Sequence, residues 1–310
     1  MGEPVTRLAY LGPEGTFTHQ AALTWIDEGV AASPLPDVAA VYRGVEEGRF
    51  DVGVVPIENS VEGYVVPSLE ELLASENVVA MGATSVDITF SAFARSAADA
   101  QHAQVVVSHP HALAQCRRFI NDRELRPLTA SSTGAACRDL QAGHLSLGAP
   151  LCRELYSLHL VAEHVEDYPG ARTRFLLIGS RERARATIGS GEPTSETILA
   201  VTPQRIGPGV LSDVTHVFFD RRINLTSVVT RPLKAQEGKY VFVFTLEGHP
   251  AQPDTRRCLE ELLEQGNYLK VLGTYPSPRG PLTEGPLREF PPSSVTLSSD
   301  PETMARALLW

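Results

Sequence analysis

Short apolar runs separated by amphipathic stretches mark the first half of the chain. The runs at 8–11, 52–56, 105–108 and 145–148 read as strands, as does 173–179. A longer β-rich apolar run, 84–93, reads as one further strand. Between them, apolar positions recur at three- and four-residue spacing and predict helices at 18–28, 38–47, 68–74, 112–122, 134–142 and 151–156. Such alternation predicts an α/β layered domain. Residues 180–195 are polar, carry Gly189, Gly191 and Pro193, and read as a linker. The pattern then resumes: strand 197–202, helix 208–221, strands 225–231 and 240–247, helix 253–265 and strand 268–274. That β-α-β-β-α-β order is the split βαβ, or ferredoxin-like, unit. Residues 276–310 hold seven of the 23 prolines and little periodicity, which predicts a mostly irregular tail with a short helix over 301–310.

A length of 310 residues suits two domains, and a hydrophobic fraction of 43% suffices for a sizeable core. The net charge of −10 argues against a nucleic-acid partner, which requires a basic surface. Lysine is scarce: Lys234, Lys239 and Lys270 are the only three, and none lies in the first 233 residues. Schiff-base and P-loop lysines are therefore excluded from the first domain, whose anion sites must use Arg, helix N-termini or polar side chains. No apolar run reaches the ~18 residues of a membrane span, and no secretory leader is expected at the start. Cys116, Cys137, Cys152 and Cys258 lack C-x-x-C spacing and read as reduced packing thiols. Together these features predict a cytoplasmic protein. Scattered histidines and the absence of H-E-x-x-H, G-x-S-x-G and G-x-G-x-x-G predict no metal, no cofactor and no serine-hydrolase chemistry.

Several strand-to-helix turns share one kind of punctuation: 11–17 with Thr16, 56–60 with Asn59 and Ser60, 108–110 with Ser108 and His109, and 131–134 with Ser132 and Thr133. Each sets hydroxyl, amide or imidazole groups beside free backbone N–H groups at a helix start. Singly, these are ordinary N-caps; gathered on one sheet edge, they form a site for a small polyanion. Thr173-Arg174-Phe175 opens the last strand of the domain. Arg174 can clamp a carboxylate in a bidentate fork, and Thr173 can give a proton if its hydroxyl is polarised. A surface strand start is the plain alternative.

Taken in order, Gly12-Pro-Glu-Gly-Thr-Phe17, Gly53-Val-Val-Pro-Ile-Glu-Asn-Ser-Val-Glu-Gly63, Ser108-His-Pro110 with Gln115-Cys116, and Thr173-Arg-Phe175 resemble the motif series of the prephenate dehydratase family. The second unit resembles the ACT regulatory domain, through Gly207-Pro-Gly209, Ile223-Asn-Leu-Thr226, Arg231-Pro-Leu-Lys234, Gly238-Lys-Tyr240 and Gly248-His249. The resemblance implies a two-lobed, periplasmic-binding-protein-like catalytic domain over 1–183, a linker over 184–195, an ACT domain over 196–276 and a Pro-rich tail over 277–310. It implies a lyase that converts prephenate to phenylpyruvate, with loss of water and CO2, in L-phenylalanine biosynthesis. Thr173 is then the general acid, with Asn59 and Glu58 also catalytic. Thr16, Ser60, Ser108, His109, Gln115, Ser132, Thr133, Arg174 and Phe175 would bind substrate. Gly209, Val210, Leu211, Asn224, Leu225, Thr230, Arg231 and Pro232 would form the regulatory site for L-phenylalanine or another amino acid, and a homo-oligomer is expected.

Some positions depart from the family pattern. His111 stands where many members carry Gln, and Ala171 where many carry Asn. In the ACT unit, the Glu-Ser-Arg-Pro signature reads Val229-Thr230-Arg231-Pro232, and the Gly-Ala-Leu loop reads Gly209-Val210-Leu211. Loss of the glutamate charge predicts weakened phenylalanine inhibition. Two alternatives stand beside the dehydratase: a non-aromatising, prephenate decarboxylase-like enzyme of secondary metabolism, and a non-catalytic small-molecule sensor.

Overall fold

The computed structural model describes residues 4–187, 195–233, 238–277, 294–296 and 298–309. It separates into two compact units, Met1–Pro278 and Arg279–Trp310. In chain order the first unit runs β1 (Arg7–Leu11), α1 (Phe17–Ala22), β2 (Ala31–Leu35), α2 (Val38–Glu46), β3 (Val52–Asn59), β4 (Gly63–Tyr64), α3 (Val66–Ala74) and β5 (Val78–Asp87). It continues with β6 (Ser91–Ala94), α4 (Ala97–His102), β7 (Val105–Ser108), α5 (Pro110–Gln115), α6 (Arg117–Asp122), β8 (Arg126–Thr129), α7 (Thr133–Arg138), β9 (His144–Gly148), α8 (Cys152–Leu155) and β10 (His159–Ala162). Then come β11 (Arg172–Ser180), α9 (Arg181–Thr187), β12 (Ser195–Thr202), α10 (Val210–Asp220), β13 (Leu225–Pro232), β14 (Tyr240–Glu247), α11 (Pro253–Glu264) and β15 (Tyr268–Pro276). In the second unit, Asp300 caps α12 (Pro301–Leu308), the short helix expected there.

Two lobes follow from the strand pairing. β2-β1-β3-β11-β5 form the sheet of lobe 1, and β10-β6-β9-β7-β8 that of lobe 2. The chain crosses between them twice, after β5 and before β11. The crossings are tied together: Ile88 N–H donates to the Ala171 carbonyl at 2.7 Å, and Val165 N–H to the Phe90 carbonyl at 3.0 Å. The expected single strand over 84–93 is thus two strands in different sheets. Ile88 and Phe90 are buried between the lobes, so apolar character runs unbroken through the crossing. The expected helix over 112–122 breaks at Cys116, and that over 18–28 stops at Ala22, followed by a 3-10 turn, Leu23–Trp25. Residues 181–187, expected as linker, are helical in α9; the remainder of that stretch, 188–194, lies outside the described residues.

The βαββαβ unit, sheet order β13-β14-β12-β15, joins lobe 1 edge to edge. β15 runs parallel to β5, with Gly273 opposite Ala80. A Cβ on Gly273 would stand 2.5 Å from the Ala80 Cβ and closer still to its carbonyl oxygen, so only glycine lets the strands approach this far. One apolar core spans the seam, holding Val41, Leu69, Leu72 and Ile178 of lobe 1 with Ile198, Val243, Leu272 and Tyr275 of the C-terminal unit. Lys270 extends across it, its ammonium donating to the carbonyls of Leu73 and Ser75 at 2.7 and 2.5 Å. It thereby caps the C-terminal end of α3.

Candidate active site

The lobes enclose a cleft of about 370 Å³. Its floor is the open end of β11 and β3, where Thr173 pairs with Asn59 in antiparallel register. Asn59 Oδ1 accepts the backbone N–H groups of Val61 and Glu62 at 2.8 and 3.0 Å. That fixes the amide, and Nδ2 donates to Thr173 Oγ1 at 2.8 Å. With its oxygen already accepting, the Thr173 hydroxyl is polarised and its proton is free for a partner in the cleft.

Thr16, His109 and Ser132 reach the cleft from three helix starts. Each is an N-cap: Thr16 Oγ1 accepts from His19 N–H, Ser132 Oγ from Ala135 N–H and His109 Nδ1 from His111 N–H. Capping uses the acceptor side of these groups, and the Thr16 hydroxyl donates to the Pro13 carbonyl at 2.9 Å, so the donors left for an anion are backbone N–H groups, the Ser132 hydroxyl and His109 Nε2–H. Thr133, Phe175 and Gln115 also line the cleft. Sequence reasoning missed Glu62, which joins the lobes across the mouth. One oxygen accepts from Gln115 Nε2 at 2.9 Å, and the other lies 3.0 Å from His111 Nδ1. Its place inside the quoted Gly53–Gly63 motif was the available signal.

Four expected site residues stand elsewhere. Arg174 projects from the opposite face of β11, buried against Glu196 of β12 at 2.5 Å. Glu58 pairs with Arg174 and with Tyr64 across the strands, on the side away from Thr173. Ser108 is fully buried and donates to the Leu147 carbonyl at 2.6 Å. Ser60 binds both backbone groups of Arg172, extending the β3–β11 ladder. Strand alternation explains the first two: neighbours in a strand face opposite ways. No Arg or Lys lines the cleft among the described residues.

His19 stacks on Tyr10 at 4.9 Å, and its Nδ1 accepts the Gly15 N–H at 3.2 Å. Burial lowers its pKa, as it does that of His109. The folded state therefore resists protons that the unfolded chain takes up below about pH 6.5. Stability is expected to fall as pH drops through that window, and His19→Gln to flatten the slope; urea titrations between pH 7.5 and 5 measure both. An unchanged slope in the variant removes His19 from the titration.

The expected regulatory residues form two groups. Gly209, at φ 88°, caps α10, with Val210 buried and Leu211 exposed in its first turn. Asn224 precedes β13, which carries Leu225, Thr230, Arg231 and Pro232. Arg231 pairs with Glu70 of α3 at 2.7 Å, across the seam. Val229 packs against the shared core, a setting where a carboxylate would be desolvated. Within one chain the groups face different cavities, Val210 in one and Pro232 in another.

Residues 8–183 match the family model for prephenate dehydratase, and 206–264 that for the ACT domain. The chain belongs to the prephenate dehydratase family. A prephenate dehydratase from Amycolatopsis methanolica is 36% identical over 281 residues, spanning 87% of this chain and 88% of that protein. A bifunctional chorismate mutase/prephenate dehydratase from Aquifex aeolicus is 35% identical over 281 residues, spanning 88% and 74%. Among solved structures, the prephenate dehydratase from Arthrobacter aurescens in complex with L-Phe superposes with a TM-score of 0.79 at 28% identity, covering 88% of this chain and 90% of its own. The two-lobed α/β domain with a C-terminal ACT unit is the fold of this family. Among the described residues, no cluster of three His, Cys, Asp or Glu side chains could hold a metal ion, and no helix is long and apolar enough to cross a membrane.

Proposed function

We propose that Thr173 protonates the leaving hydroxyl of prephenate in the cleft, and that the Asn59–Thr173 pair carries this reading. The activity is that of a prephenate dehydratase, a carbon–oxygen lyase of L-phenylalanine biosynthesis. As the ring carboxylate leaves as CO2, its bonding electrons move into the ring and expel the hydroxyl at the far carbon. The proton from Thr173 turns that departing hydroxide into water. The Asn59 amide stabilises the alkoxide that develops on Thr173, which solvent then reprotonates. Phe17 and Phe90, edge to face at 5.3 Å, supply flat apolar walls for the ring. Among the described residues the wall carries no guanidinium or ammonium, which favours loss of the ring carboxylate, because the negative charge leaves that carboxylate as CO2 forms and passes to the departing oxygen and Thr173. The second carboxylate is left to the backbone N–H groups after Thr16 and Ser132, with the Ser132 hydroxyl and His109 Nε2–H.

L-Phenylalanine regulates through the ACT unit, and Val229-Thr230 in the signature weakens the inhibition. The exposed edge strand β13, with Val228, and the exposed Phe219 support pairing with a second copy, which would bring the two regulatory groups together. A cytoplasmic location fits four free cysteines. The proposed division stays at 1–183, 184–195, 196–276 and 277–310, although α9 crosses the first of these boundaries and β12 begins one residue before the third segment. Incubation with prephenate, read by the ultraviolet spectrum of the product with and without L-phenylalanine, tests the reading. Phenylpyruvate is expected, with inhibition weaker than in relatives that keep the glutamate. A non-aromatic product, or none, overturns it.

A further inference from the structure

A second cavity, of about 550 Å³, lies in the seam between lobe 1 and the ACT unit, on the side of α9. Among the described residues its charged lining is wholly basic. Arg181 and Arg185 project from α9 one turn apart, and His249 and Arg256 face them from the ACT unit. Val79 and Val271 contribute to an apolar floor. Arg181 is fixed by backbone carbonyls, its Nε donating to Glu76 O at 2.9 Å and Nη2 to Val271 O at 3.0 Å, and among the described residues no carboxylate pairs with it. Burial, then the charge of Arg185, lowers its pKa. Among the described residues Arg185 has no acidic partner, and Arg256 uses Nε for Glu260 at 2.9 Å, which leaves its two terminal nitrogens. His249 Nδ1 accepts the Ala251 N–H, which makes Nε2 the donor end of the neutral ring. Among the described residues no Asp or Glu lines this cavity.

Three guanidinium groups, only that of Arg256 paired with a carboxylate among the described residues, gather here in a chain of net charge −10 and favour an anion by elementary electrostatics. The apolar floor sets the rest of the ligand. We infer that the seam cavity binds a small apolar carboxylate that lacks an ammonium group. The carboxylate meets the arginines, and the hydrocarbon body covers the valines. A free amino acid is disfavoured, since its ammonium would face arginine with no acceptor carboxylate. Both domains contribute groups, so an occupant ties the ACT unit to lobe 1 independently of the cleft and of its reaction.

Titration calorimetry on the full chain tests the assignment with 3-phenylpropionate, 3-phenylpropanol and L-phenylalanine as probes. Arg185 is exposed and Arg256 largely so, so Arg185→Gln and Arg256→Gln leave the core intact, which a melting curve checks. 3-Phenylpropionate is expected to bind, the neutral alcohol not to, and each variant to weaken the acid by about tenfold. Binding of L-phenylalanine should be the same in wild type and variants. Absence of 3-phenylpropionate binding, or binding unchanged in the Arg185→Gln/Arg256→Gln double variant, overturns the assignment; the latter outcome would place the acid in the cleft. Equal weakening of L-phenylalanine overturns the exclusion of the ammonium. None of these readings requires turnover of prephenate, so they stand or fall apart from the proposed reaction.

Discussion

Thr173→Ala is expected to lower kcat for prephenate by a factor on the order of 10²–10⁴, the range over which a positioned proton donor contributes. The variant should fold. It loses one methyl and one hydroxyl, and it strands Asn59 Nδ2 without its acceptor, a cost of about 1–3 kcal/mol. Asn59 itself stays in place, because its carbonyl is held by two backbone N–H groups of the turn that follows. Three neighbouring variants separate acid chemistry from packing. Thr173→Ser restores the hydroxyl and should recover most of the rate. Thr173→Val keeps the shape and should be as poor as alanine. Asn59→Ala keeps the hydroxyl but removes its polarising donor, so its loss should fall between wild type and Thr173→Ala. Product formation under saturating prephenate, with thermal melts alongside, gives all four values. A valine variant that turns over like wild type removes Thr173 from the proton transfer, whatever alanine does.

The same strand shows how far sequence reading reaches. Strands β7 and β14 fall where their apolar runs place them, since both are buried and bounded by polar turns. β2 was invisible because Ala-Ala-Ser-Pro-Leu has little strand propensity and holds only by pairing with β1. β8 is an edge strand exposed throughout, so it has no buried face to betray it. α9 buries Ala184 alone and shows no apolar period. The motif residues were legible as a set, but not which way each faces. Adjacent Thr173 and Arg174, like Glu58 and Asn59, were read as sharing one site, although a strand sends neighbours to opposite faces. The period of two, applied to β11 and β3, separates Thr173 and Asn59 from Arg174 and Glu58. What no local rule could supply is the identity of the surface behind the strand. That surface is the ACT unit, more than twenty residues further on, and its contact rests on Gly273 and Ala80.

Arg174 is therefore expected to matter for assembly of the two domains and not for holding substrate. Its Nη2 meets Glu196 Oε2 at 2.5 Å, Tyr275 lies 5.9 Å below the guanidinium, and Ser277 Oγ supports the same carboxylate at 2.8 Å. Burial alone would lower the guanidinium pKa; Tyr275, Glu196 and Glu58 outweigh it and keep the group charged. Removing one member leaves a buried charge uncompensated, which typically costs about 3–5 kcal/mol. Against a total stability of about 5–15 kcal/mol, Arg174→Met should shift urea unfolding strongly, and Glu196→Leu should do the same. The double variant Arg174→Met/Glu196→Leu removes both charges and replaces them with apolar volume, so most of the loss should return. Kinetics of the double variant decide between the two roles of Arg174. A guanidinium clamp on a substrate carboxylate would make KM rise at least about tenfold when it is lost, since charge-assisted hydrogen bonds contribute about 1.5–3 kcal/mol. A structural tie between β11 and β12 leaves KM within about twofold once stability is restored, because no atom of the cleft has changed. A tenfold rise in KM in a stable double variant would return Arg174 to the substrate site and require the lobes to rearrange around prephenate.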